Sequence, residues 1–569
     1  MPRPPLPIGL NVAVNEAGTD AARDAAVAGT GIILLTLASG QFLMTLDSSV
    51  MNVSIATVAK DVGTTVTGIQ GAITMYTLVM AALMITGAKV GAIIGRKRAF
   101  AIGCVIYGCG SLTTSLATSL PVLLFGWSFL EGVGAALILP AIVALVASNF
   151  PAQRRPAAYG LVAAAGAIAV AVGPLIGGFC TTYFSWRWVF AGEVVLVLAI
   201  LVLARRIADA PPETRPKLDL IGAALSALGL GLVVFGVLRS SVWGWVQPKP
   251  DAPSWAGLSP TLWLILIGLF VVWIFFRWED RREARGEEPL VRRAMLSNRQ
   301  LSGGLIMFFF QFLAQAGLFF VVPLYLSVCL GLSALATGVR LLPLSITLLI
   351  AALGVPRVFP NTSPRLIVRC GLLSLLAGTV VLLAGLDPDA GAEIVFVPML
   401  LIGLGIGALA SQLGAITVSS VPDDESPEVG GLQNTATNLG ASFGTALAGS
   451  IMIAAVTASF IANIQASSDI SQRLKNQATV ELSGGVPFVS DADLEAALNE
   501  AHANSKETEA TLDAYRKARL VGLEYALALL AVLDVVALFY AQRIPKTRPG
   551  TEAARQARTS EGTPLSSAA

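Results

Sequence analysis

Thr45-Leu46-Asp47-Ser48-Ser49-Val50-Met51-Asn52-Val53-Ser54 lies inside an apolar run from Gly31 to Val58. The run exceeds the roughly 20 helical residues that cross a bilayer. A carboxylate at that depth costs about 2.5–3.5 kcal/mol on insertion scales unless it faces protein or water. Asp47 therefore reads as a functional residue, with a plain interhelical hydrogen bond as the competing reading. The rest of the chain has the same character. Apolar residues make up 55% and charged residues only 13%. A soluble domain carries about 25% charged residues. Mean hydropathy is +0.73.

Working outward, apolar segments of spanning length fall near 31–57, 66–88, 99–118, 122–148, 157–180, 187–206 and 220–239. Others fall near 261–278, 301–329, 334–356, 366–385, 393–418, 431–463 and 517–541. That pattern predicts fourteen transmembrane helices, because an open strand in lipid leaves backbone groups unpaired. Lys89, Arg96, Lys97, Arg98, Arg154, Arg155, Arg205, Arg206 and the charged stretch from Arg277 to Arg299 then share one side. Lys60, Arg187, Arg239 and Lys249 fall on the other. The positive-inside rule puts the first side, and both termini, in the cytoplasm of a plasma membrane.

The expected organisation is a cytoplasmic tail over 1–30 and a six-helix bundle over 31–206. A two-helix insertion with linkers follows over 207–299, then a second six-helix bundle over 300–541. Residues 464–516 form an extracellular loop, and 542–569 a disordered cytoplasmic tail. Within the loop, Ser490-Asp491-Ala492-Asp493 reads as a helix start. No signal peptide is expected at the N-terminus.

Other function classes find little support. The formal net charge of +2 points to no nucleic-acid partner. Cys104, Cys109, Cys180, Cys329 and Cys370 have no metal-ligand spacing, and His502 is the only histidine. No nucleophile–base constellation appears, so we expect no enzyme activity, no metal and no cofactor.

Two motifs carry more. Ala88-Lys89-Val90-Gly91-Ala92-Ile93-Ile94-Gly95-Arg96-Lys97-Arg98 is a glycine-rich turn ending in a basic cluster suited to helix C-termini and anionic lipid. Gly173-Pro174-Leu175-Ile176-Gly177-Gly178 lies in the fifth segment, where proline removes a donor and glycines permit close helix approach. The first resembles the cytoplasmic loop signature of the major facilitator superfamily, the second its antiporter motif. With the Asp47 segment, Asp219-Leu220-Ile221-Gly222 and Ser185-Trp186-Arg187-Trp188-Val189-Phe190, the chain over 31–541 resembles the fourteen-helix drug:proton antiporter family.

That resemblance implies two six-helix halves around a central cavity, joined by two inserted helices. It implies proton-coupled export of amphiphilic or cationic drugs by alternating access. Three departures stand out. Ala92 and Ile93 replace an acid and a base of the loop motif. Ser128 stands where relatives have an arginine linked to proton coupling. Glu131 and Glu193 replace polar amides. Asp47, Glu131 and Glu193 are thus the expected proton or substrate carriers. Helix rise places Glu131 near the midplane and the other two in the outer half. Pairing with Arg187, Arg340 or backbone groups is the alternative for Glu131 and Glu193. Asn52, Tyr76, Gln311, Gln315, Arg340 and Asn434 are candidates for the substrate cavity. Gly95, Arg96, Lys97, Arg98, Gly173, Pro174, Gly177 and Gly178 are the conformational motif residues. Expected partners are a small molecule, protons and membrane lipids. Rival readings are a proton-coupled metabolite or lipid transporter and a transporter-fold sensor or scaffold.

Overall fold

A computed structural model describes residues 9–546, apart from 152–153, 209–217, 250–251, 288, 422–425, 473–474, 476–485 and 501–503. His502 and the C-terminal tail beyond 546 lie outside the described residues. Long helices account for nearly everything else. They are α1 (Gly9–Asp61), α2 (Val66–Ile94), α3 (Arg96–Ser115), α4 (Leu120–Asn149), α5 (Arg155–Tyr183) and α6 (Arg187–Ala204). An inserted pair follows, α7 (Leu220–Trp243) and α8 (Pro260–Ala284). The rest are α9 (Arg299–Cys329), α10 (Ala334–Val358), α11 (Pro364–Gly385), α12 (Ala392–Val418), α13 (Ser426–Ala466) and α14 (Ser505–Tyr540).

Each of the fourteen expected segments contains one of these helices. Among the described residues, 13 are long and apolar enough to cross a membrane. The exception is α3. It is a helix of 20 residues, but Arg96, Lys97 and Arg98 fill its first turn and shorten its apolar part. Helix α1 begins at Gly9, inside the stretch that sequence reads as a polar tail.

Packing separates two groups. Helices α1–α6 pack on one another, as do α9–α14. The groups meet where α5 lies against α10, α2 against α13, and α1 against α9. The α7–α8 pair packs against both α2 and α13, beside that seam. Large apolar side chains such as Leu198, Trp188, Phe270, Trp273 and Phe539 stay exposed on the outside. Such a surface suits hydrocarbon rather than water.

Helix α14 starts earlier than the apolar pattern suggests. Asn504 and Glu507 form a capping box that adds a polar extension. Ser490 caps a short helix over Asp491–Glu500, its Oγ accepting from the Asp493 N–H at 3.2 Å. Buried Arg519 holds this segment down. Its guanidinium pairs with Asp491 and donates to the Val489 carbonyl at 2.9 Å and the Val328 carbonyl at 3.3 Å. Tyr515 donates to the Pro487 carbonyl at 2.5 Å. Arg519→Met is expected to free the segment, at a cost of about 1–3 kcal/mol for the orphaned acceptors. Faster limited proteolysis across 486–500 would report it; unchanged cleavage would mean the segment is held elsewhere.

Candidate functional site: a buried carboxylate cluster

Helix α1 presents two polar faces. Gln41, Thr45, Ser48 and Asn52 recur at helical spacing and are half-buried. Asp47 points another way, into the first bundle, and is fully buried. Trp127 Nε1 donates to both of its oxygens, at 2.8 and 3.0 Å. Trp127 belongs to a π-helical stretch within α4, Leu124–Glu131. Such wide turns occur often at functional sites.

Glu131 ends that stretch and is also fully buried. Its Oε1 accepts from the Thr114 hydroxyl of α3 at 3.0 Å. Glu193 of α6 accepts from Ser111 at 3.1 Å and Tyr107 at 3.4 Å. One carboxylate oxygen from each of Asp47, Glu131 and Glu193 lies within 4.8 Å of the others. Tyr76 of α2 stacks on Trp127 with ring centroids 5.1 Å apart, and its hydroxyl faces Asp47. Among the described residues, Glu131 Oε2 and Glu193 Oε1 have no hydrogen-bond partner.

Among the described residues no Lys or Arg pairs with these acids. Arg187 instead binds Asp61 at 3.0 Å and the Ala117 carbonyl at 2.7 Å. Arg340 lies 3.5 Å from Glu393. Two like charges at about 4.8 Å repel by roughly 3–4 kcal/mol even at an effective dielectric of 20. A proton or another cation among the three would relieve that repulsion.

Sequence reading named all three acids but spread them over two depths. The structure puts them at one point. Tyr76, expected to line a cavity, stands beside them. Tyr107, Ser111, Thr114 and Trp127 were not singled out; each is an ordinary polar or aromatic residue in an apolar helix.

The other candidates are dispersed. Asn52 borders a small pocket between the halves with Ser49, Pro174, Phe319 and Leu341. Gln311 is buried with its Oε1 unpartnered, and Gln315 is half-buried on the same helix. Asn434 donates to the Gly430 carbonyl at 3.0 Å. Arg340 borders a peripheral pocket with Phe396 and Leu400. Ser128 donates to the Ala72 carbonyl at 2.8 Å, so a hydroxyl ties α4 to α2 there. Asp534 of α14 is buried within the second bundle.

The antiporter-type motif sits between α1 and α10. A Cβ on Gly173 would lie 2.5 Å from Ser49 Oγ, and one on Gly177 2.9 Å from Val50 Cα. On the opposite side, a Cβ on Gly178 would lie 2.6 Å from the Ala334 carbonyl oxygen. Pro174 is inside the helix. In the loop motif, Gly95 separates α2 from α3 with φ of 101°. Lys97 caps the end of α6 through the Arg205 carbonyl at 3.1 Å and the Ile207 carbonyl at 2.6 Å. Arg96 donates to the Ala144 carbonyl at 3.4 Å, and Arg98 follows on the same turn. Gly95→Ala forces a side chain into that left-handed region, at about 1–3 kcal/mol. A lower Tm of the purified protein is expected; an unchanged Tm would deny the strain.

Two packed groups of six apolar helices, with buried acids inside the first, have the architecture of a membrane transporter. Residues 37–445 match the family model described as Major Facilitator Superfamily. The chain belongs to that superfamily. It is 28% identical over 504 residues to the probable actinorhodin transporter of Streptomyces coelicolor, covering 86% of this chain and 82% of that protein. It is 31% identical over 440 residues to a puromycin resistance protein of Streptomyces alboniger, covering 76% of this chain and 83% of that one. A solved bacterial homologue of the human lysosomal transporter Spinster, inward-facing and unoccupied, shares the fold. Its TM-score is 0.58 at 14% identity, over 91% of this chain and 98% of that one.

Proposed function

We propose that this protein is a proton-coupled exporter of amphiphilic or cationic compounds, working by alternating access in a bacterial plasma membrane. The observation that carries the reading is the Asp47–Glu131–Glu193 cluster, three carboxylates in reach of one another with no described cation beside them. Its location supports a proton role. The acids are sealed inside the first bundle, away from the seam, so a bulky substrate does not reach them. The substrate instead meets the half-buried polar face of α1, Asn52 included, beside α9, the helix that carries Gln315. Export of a drug is supported by relatives named for antibiotic transport or resistance.

Coupling then runs through α1. One face holds the acid that gains or loses a proton, and the other lines the substrate route. Protonation alters how Asp47 is held by Trp127, and α1 is packed through Ser49 and Val50 against the pivot helix α5. A ligand shifts such an equilibrium only by its differential affinity for the two states.

Inverted membrane vesicles with an imposed pH gradient, screened over cationic dyes and antibiotics, test the reading. Gradient-dependent accumulation of at least one compound is expected. Its absence across the screen, with protein present at normal level, would count against export. Topology has its own test in a variant lacking the five native cysteines. A cysteine at Ala497 should label from outside, and one at Ser560 should not. The reverse result would invert the orientation.

A further inference from the structure

We propose that a pocket between α8 and the linker behind it binds the phosphodiester headgroup of an anionic membrane lipid, whose acyl chains run along α8. The proposal does not rest on the exporter reading. It requires only that α8 crosses the membrane.

The pocket holds about 320 Å³ and is lined by Trp273, Phe276, Arg277, Arg293, Leu296 and Ser297. That is the lower end of the range for small-molecule sites. Its two arginines come from different elements. Arg277 belongs to α8, and Arg293 opens the short helical turn Arg293–Ser297 that leads to α9. Arg277 lies over the Trp273 ring, 5.8 Å from its centroid. Among the described residues it has no carboxylate partner. Arg293 pairs with Asp280 at 2.7 Å, but its side chain is 61% exposed. A surface pair of that kind contributes little. The five donors of a guanidinium also leave room for a second anion. Two arginines against one aspartate leave a single positive charge, the complement of one phosphodiester.

A second observation says what else the occupant must carry. Leu266, Leu269, Phe270 and Trp273 recur at helical spacing on α8, and all are exposed. Phe270 stacks on Trp273 with centroids 5.7 Å apart. Arg277 continues the same line, one turn beyond Trp273. The stripe faces hydrocarbon, and a tryptophan followed by an arginine marks its border with water. The occupant is therefore apolar along the stripe and anionic at its end. Free phosphate has no tail. A peptide would leave backbone groups unpaired against hydrocarbon. The choline of a zwitterionic lipid cancels the charge that the arginines read. An anionic phospholipid meets both demands, and arginine forks suit its phosphate oxygens. Leu296 and Leu432 of α13 pack on one buried cluster, Phe275, Leu290 and Val291. The pocket thus lies where the inserted pair meets the second bundle, and a headgroup touching both arginines would tie the linker to α8.

The test is photo-crosslinking in phosphatidylcholine nanodiscs that hold the full-length protein and a trace of phosphatidylglycerol with a photoreactive acyl chain. Crosslinks are mapped by peptide mass spectrometry. The wild-type protein should be labelled on α8 between Leu266 and Arg277, well above the level given by photoreactive phosphatidylcholine. Arg277→Gln and Arg293→Gln should each lower affinity about 5-fold, and the double variant about 30-fold. Both positions are exposed; should the double variant not be monodisperse, the single variants carry the comparison. Arg281→Gln/Arg285→Gln removes the same charge from exposed residues outside the pocket and should leave labelling in place. Equal labelling of α8 by the two lipids in the wild-type protein overturns the proposal, as does unchanged labelling in the monodisperse pocket variants. An equal loss in Arg281→Gln/Arg285→Gln would reduce the site to diffuse attraction and overturn it too. So would loss of labelling on adding soluble glycerol phosphate, which would make this a site for free phosphate.

Discussion

Glu131→Gln, reconstituted at matched protein level, is expected to lose pH-gradient-driven flux by about 5–150-fold, the usual range of a coupling free energy. The substitution keeps size and removes titration. Thr114 can still donate to the remaining carbonyl oxygen, so local packing is preserved. Substrate binding and counterflow should survive, because neither requires net proton movement and the cluster is sealed from the seam. Asp47→Asn should behave the same way, since an amide oxygen still accepts from Trp127 Nε1. Glu193→Gln tests the third member. Normal driven flux in all three single variants would remove the proton mechanism and favour a sensor or scaffold.

Gly338→Leu should have an effect of similar size for a mechanical reason. A Cβ at Gly338 would lie 2.2 Å from the Pro174 carbonyl oxygen. Close by, the Leu335 N–H donates to Thr182 Oγ1 at 3.0 Å, and Ser345 donates to the Val170 carbonyl at 3.3 Å. Helices α5 and α10 are therefore in backbone contact along the part of the seam we assign to the outer side. Overpacking such a contact costs about 1–3 kcal/mol. Spent on one conformation only, that shifts its population by about 5–150-fold. Insertion should be normal, flux should fall, and a cysteine at Asn52 should label faster from outside. Unchanged flux and labelling would mean the seam does not open there.

Much of the fold was legible because lipid leaves few options. Apolar runs of spanning length mark helices, and each expected run contains one. Helix ends were less legible where polar residues prolong a helix beyond hydrocarbon. The capping box at Asn504 and the Arg519 clasp extend α14 in this way, and no hydropathy pattern reports them. The acids were legible singly, since each carboxylate stands out in an apolar segment. Their convergence was not. Asp47, Glu131 and Glu193 sit on three helices, and counting about 1.5 Å per residue assumes straight, upright α-helices. The π-helical stretch before Glu131 breaks that assumption. The fate of the candidate arginines was equally hidden. Arg187 and Arg340 find Asp61 and Glu393 at the helix ends, so neither reaches the cluster. Tyr76 shows the same limit. Its hydroxyl suggests a cavity, while its ring is fixed by Trp127 inside the bundle.

The central claim is that substrate movement is tied to protons held by this cluster. Substrate-linked proton release tests it most directly. A compound identified by wild-type vesicle flux is added to purified protein in weak buffer, and released protons are read with a pH dye. The account predicts release from the wild-type protein and none from Glu131→Gln, with the compound still bound by both. Equal release from the wild type and from all three single variants, Asp47→Asn, Glu131→Gln and Glu193→Gln, would contradict it.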